Sequence, residues 1–116
     1  MGKAKLPGPI ERRHLIEREL SAAQALRYAE AYLEEGQEVG AIAFLAKAEA
    51  TEQLAALRNR SIEAGDGFLL RAVATAMGAP ASPEEWKALA EAAARGGKER
   101  YATEALRQLE RGGAER

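Results

Sequence analysis

The sequence predicts an all-α fold of about five helices, arranged as stacked antiparallel hairpins in an irregular helical repeat or a helical bundle. Three observations predict it. Alanine fills 27 of the 116 positions and leucine 13, and with the many Glu and Arg residues these are the strongest helix formers. Two valines, four isoleucines, three threonines and an aromatic content of 5% leave little from which to build a pleated, half-buried surface. Apolar residues also recur at three- and four-residue steps, between Gly and Pro positions that punctuate the chain.

Residues 1–8 hold two Lys, two Gly and a Pro, and are expected to form a flexible lead. Pro9 then suits the first turn of a helix, where its missing N–H costs nothing. Ile16, Leu20, Ala23, Leu26, Ala29 and Leu33 share one face and predict a first helix running to Glu35, stopped by Gly36. Val39, Ile42, Ala43, Ala46, Ala50, Leu54 and Leu57 form the stripe of a second helix. No Gly or Pro interrupts it from Ala41 to Ala64, so it is expected to run about seven turns and pack back along the first.

After Gly65, Asp66 is an N-cap for a short third helix with Phe68, Leu69, Leu70, Val73, Ala76 and Met77, apolar on nearly every side and expected to be deeply buried. Gly78-Ala79-Pro80-Ala81 reads as a loop. Ser82-Pro83-Glu84-Glu85 reads as a capping box with Pro at the first helical position, opening a fourth helix with Trp86, Leu89, Ala90 and Ala93 inward. Gly96-Gly97 separates it from a fifth, from about Lys98 to Arg111, with Tyr101, Ala102, Ala105, Leu106 and Leu109 inward. Gly112-Gly113 is expected to end that helix. The chain then divides into the lead, a single helical domain over 9–111, and a flexible tail over 112–116.

Seventeen basic against 18 acidic residues give a net charge of -1, which offers no global attraction for nucleic acid. The absence of cysteine excludes disulfides, thiolate metal sites and a Cys nucleophile. Glu11-Arg12-Arg13-His14 stands where a secretory leader would have its apolar stretch. No apolar run approaches the roughly 20 residues that cross a bilayer, so a cytoplasmic protein without a membrane partner is expected.

Two stretches resemble units of the tetratricopeptide repeat. Ala29, Tyr32, Gly36, Ala41, Leu45 and Ala48 match that module's small residues, aromatic position and turn glycine; Trp86, Leu89, Ala90, Gly97, Ala102 and Leu106 match it again at the same relative spacing. Between them Arg58 and Leu70 stand where the family has small residues. The resemblance implies helical hairpins that present a face to a protein partner.

Candidate chemistry is sparse. Glu11 and His14 have the Glu-x-x-His spacing of carboxylate-bridged metal bundles, and with Glu17 they would need a dimer to complete a site. The solvated end of a helix explains them more simply. Arg58-Asn59-Arg60 reads as cations complementing the C-terminus of the second helix. Glu30, Glu34, Glu35 and Glu38 read as a solvated acidic tip, without the apolar pocket that general acid–base work requires. There is no phosphate-binding glycine loop and no Ser–His–Asp set.

No catalytic residue, metal or cofactor is therefore expected. The large anchors remain: Tyr28 and Tyr32 lining a groove opposite Leu45, and Trp86 against the end of the third helix. They predict a non-catalytic interaction or scaffolding module that offers an Ala-rich groove or an uncovered helix face to a protein, a peptide or its own copy. The alternative is a dimeric bundle holding a metal through Glu11 and His14.

Overall fold

The computed structural model describes residues 6–114, and every regular element in that range is helical. Seven helices replace the five expected: α1 (Pro9–Glu17), α2 (Ala22–Glu34), α3 (Glu38–Lys47), α4 (Thr51–Ala64), α5 (Gly67–Met77), α6 (Pro83–Arg95) and α7 (Glu99–Ala114). The two additional helices arise because each of the long helices expected in the first half is broken. The chain divides into two compact units, residues 1–54 and 55–116.

In the first unit, α1 begins with Pro9 in its first turn, as its sequence predicts, and ends where Arg18 turns extended. Ser21 then starts α2. Its hydroxyl accepts from the Gln24 N–H while the Gln24 side chain accepts from the Ser21 N–H, a complete capping box. Lys47 donates to the Arg18 carbonyl at 2.9 Å and satisfies the backbone of the break. The break moves the inward face: Leu15 is buried, whereas Ile16 and Leu20 are half-buried and Ala23 is exposed.

α2 and α3 form the expected hairpin about Gly36. Ala25, Ala29, Ala41 and Phe44 are fully buried, the small side chains letting the phenyl ring seat between helices. A Cβ on Gly40 would stand 2.6 Å from the Tyr32 ring, so that glycine sets how closely the two helices approach.

The second break lies at 48–50, where no Gly or Pro announces it. Glu49 itself takes the left-handed conformation (φ 53°), with the N–H of Ala50 bonded to the Leu45 carbonyl and that of Glu49 to Ala46. These are the bonds of a glycine-type helix stop, made here by glutamate.

The second unit holds most of α4, then α5, α6 and α7. Asp66 caps α5 through its carboxylate, which accepts from the Leu69 N–H, and Gly78 ends that helix in the left-handed conformation. Ser82 and Glu85 form the capping box of α6, as the sequence predicts. α6 and α7 pack as a hairpin around Leu70, Trp86, Leu89, Ala90 and Ala105, with Ile62, Ala81 and Leu109 against that core.

α5 is two-faced rather than buried all round. Leu69, Leu70, Val73 and Ala74 point inward while Phe68 is 68% exposed; Val39 and Leu106, expected inward, are also exposed. The backbone of α7 continues through Gly112-Gly113 to Ala114. Of the flexible segments expected, residues 1–5 and 115–116 lie outside the described residues. No helix of the described residues is long and apolar enough to cross a membrane.

Candidate functional site

Of the four aromatic and aliphatic anchors singled out in the sequence, three meet in the first unit. Tyr32 (4% exposed) and Leu45 (1%) lie in its interior and Tyr28 at its edge. The rings of Tyr28 and Tyr32 pack on Phe44 with centroids 5.3 and 5.7 Å away. Arg12 completes the cluster: its guanidinium lies 5.4 Å from the Tyr32 centroid and 5.5 Å from that of Phe44, and donates to the Gly40 carbonyl at 2.8 Å. A cation over ring faces with a carbonyl in reach is a satisfied packing arrangement. Tyr32, Phe44 and Leu45 are thus interior side chains, and of the residues expected to line a groove Tyr28 is the half-buried one.

The fourth anchor, Trp86, lies in the second unit at a cleft of about 800 Å³. α5 contributes Arg71, Ala74 and Thr75; the loop into α6 contributes Gly78 to Ala81 and Pro83; α7 contributes Gln108, Leu109 and Arg111. Ala74 and Trp86 are buried, and Ala81, Pro83 and Leu109 half-buried, so the floor is apolar. The helical positions Arg71, Thr75 and Arg111 are exposed and form a polar rim. The exposed Thr75 donates its hydroxyl proton to the Arg71 carbonyl at 2.9 Å, so its oxygen is left with acceptor capacity.

The wall of this cleft is held by a residue read differently from sequence. Arg58, expected to complement the dipole of its own helix, instead forms a two-pronged pair with Glu85: Nε to Oε2 and Nη2 to Oε1, both 2.7 Å. It also donates to the carbonyls of Ala79 (2.8 Å) and Pro80 (3.3 Å), tying down the loop that lines the cleft. Hydrogen bonds from Arg58, reinforced by the Ser82 N–H, hold the Glu85 carboxyl at about 2 against the opposing cost of burial. The guanidinium is correspondingly raised, chiefly through its hydrogen bonds to Glu85. The capping box made Glu85 conspicuous in the sequence, but no local signal connects it with a residue 27 positions earlier.

Glu11, His14 and Glu17 are all exposed, and Glu17 accepts from Arg13 at 3.0 Å. Among the described residues no group of three or more His, Cys, Asp or Glu side chains is placed to hold a metal ion. Glu30, Glu34 and Glu35 are exposed and Glu38 half-buried at the α2–α3 tip. Among the described residues the cleft combines an apolar floor, a large aromatic and polar groups in one concavity. Compared with protein-family models, curated proteins and solved structures, the chain matches none.

Proposed function

We propose that this chain is a non-catalytic protein–protein interaction module and that the cleft of its second unit seats the partner. The observation that carries the reading is the meeting of an open, apolar-floored cleft with Trp86, the chain's only tryptophan. Trp86 is itself buried in the core of the unit and backs the floor of the cleft, over which the half-buried Ala81, Pro83 and Leu109 offer apolar surface to a partner side chain. The Arg58–Glu85 fork supports the reading further, because it fixes one wall before any partner arrives and so reduces the ordering cost of binding. The likeness to helical-hairpin repeat modules favours the same class of function.

The test is selection of peptides from a random display library on the immobilised protein, followed by transfer of the winners to a Thr75→Tyr variant. Thr75 is exposed and lines the cleft, so the larger side chain obstructs the cleft without entering the core. Selected peptides are expected to lose binding by about tenfold or more on the variant. Undiminished binding would place the interaction elsewhere. Concentration-dependent self-association abolished by the same substitution would make a second copy the partner.

A further inference from the structure

Resting on the cleft as a binding seat, we infer that its occupant is an acidic peptide segment whose carboxylates flank an apolar side chain of about the size of leucine. Among the described residues, the side chains lining the cleft include two guanidiniums, Arg71 from α5 and Arg111 from α7, and no carboxylate. The chain as a whole carries a net charge of -1, so this cationic rim is a local feature rather than a reflection of overall charge.

Arg71 has a competitor in Glu104, but the contact is 3.7 Å long and exposed on both sides. The same carboxylate is shared with Arg107 at 3.9 Å and accepts from Gln108 at 3.3 Å. Such a pair is weak in water, and its guanidinium is open to a better-placed carboxylate. The apolar floor of the same cleft offers the half-buried Ala81, Pro83 and Leu109 to an aliphatic side chain, over the buried Trp86. The exposed Thr75 oxygen keeps acceptor capacity for a peptide N–H.

The dimensions match a short segment. About 800 Å³ lies within the range of small-ligand pockets and holds two or three side chains. A nucleic-acid backbone would require a longer row of cations, and a basic peptide would be repelled by the rim. Carboxylates at the rim with one apolar side chain between them satisfy both arginines and the floor together.

Trp86 is the only tryptophan and lines the cleft from the buried side, so its emission is read together with calorimetric titration to follow occupancy. The probes are acetyl-Glu-Leu-Asp-Leu-Glu-amide, its uncharged counterpart with Gln and Asn in place of the acids, and its lysine counterpart. The acidic peptide is expected to shift Trp86 emission saturably, about tenfold more tightly than the uncharged one, with the lysine peptide inert. The advantage should shrink as salt rises. Arg71→Gln and Arg111→Gln, both at exposed positions that spare the core, should each weaken the acidic peptide by roughly three- to fivefold and leave the uncharged one unchanged. Equal affinity for the acidic and uncharged peptides would overturn the inference while leaving the cleft as a seat. If neither these probes nor library-selected peptides bound, by calorimetric titration and by Trp86 emission alike, the seat itself would be refuted.

Discussion

The helices α2 to α6 all end with the same pair of backbone bonds, and four of the five closures place glycine in the left-handed conformation: Gly36, Gly65, Gly78 and Gly97. Glu49 makes the fifth at a cost of roughly 1–2 kcal/mol for a side chain in that region. Glu49→Gly is therefore expected to stabilise the protein by about 1 kcal/mol, read as a higher urea midpoint; an unchanged or lower midpoint would show that the glutamate offsets its own strain. Gly65 is the opposite case. It has a positive φ, and an added Cβ would stand 2.7 Å from the Cα of Ala93, a backbone atom that cannot swing away. Gly65→Ala should cost about 2–4 kcal/mol, and Gly36→Ala, which opens into free space, about 1 kcal/mol. The glycine stops were legible in the sequence because nothing but glycine sits easily there. The Glu49 stop was illegible because its conformation is imposed by the surrounding fold against local preference.

At the same scale, the Arg58–Glu85 fork makes a pH-dependent contribution. The folded pKa of Glu85, about 2, lies below its ordinary 4.5. Its stabilisation is therefore complete above about pH 4.5 and is lost as pH falls toward 2. Glu85→Gln keeps an acceptor for the Ser82 N–H and removes the charge. It should cost about 1–3 kcal/mol at neutral pH, with the gap from wild type closing as urea titrations are moved from pH 6 toward pH 2.5. A gap independent of pH would refute the assignment.

The helix boundaries show where reading by periodicity succeeds and where it fails. Pro9, Asp66 and the Ser82 capping box mark real helix starts because each supplies a backbone solution that depends on a few adjacent residues. The break before α2 was also written locally, as Ser21-Ala22-Ala23-Gln24, but apolar spacing runs straight across it and suggests a continuous helix. Removing that cap with Ser21→Ala should lower stability by about 1 kcal/mol in urea denaturation, and no loss would mean that packing alone sets the break. On α5, the apolar run concealed an outward face. Phe68, although the bulkiest residue of that helix, should tolerate Phe68→Ser within about 0.5 kcal/mol because it is largely exposed.

Over the whole molecule, composition was enough for the helical class, since alanine and leucine leave no material for a sheet. The site was only partly legible. Large aromatics could be identified from sequence, but whether each becomes core or surface depends on what packs against it: Phe44 receives Tyr28 and Tyr32, Trp86 packs with Leu70 and Leu89 beneath the cleft, and Phe68 is left exposed. The cleft depends on Arg58 reaching the loop over Ala79 and Pro80, a contact between residues 21 and 22 positions apart. No motif encodes such a contact.

The most direct measurement for the central claim is amide chemical-shift mapping of the isotope-labelled protein during titration with a library-selected peptide. The cleft reading expects the largest changes at Arg71, Thr75, Gly78, Leu109 and the indole N–H of Trp86. Changes confined to residues 6–54, with the Trp86 indole unmoved, would contradict it.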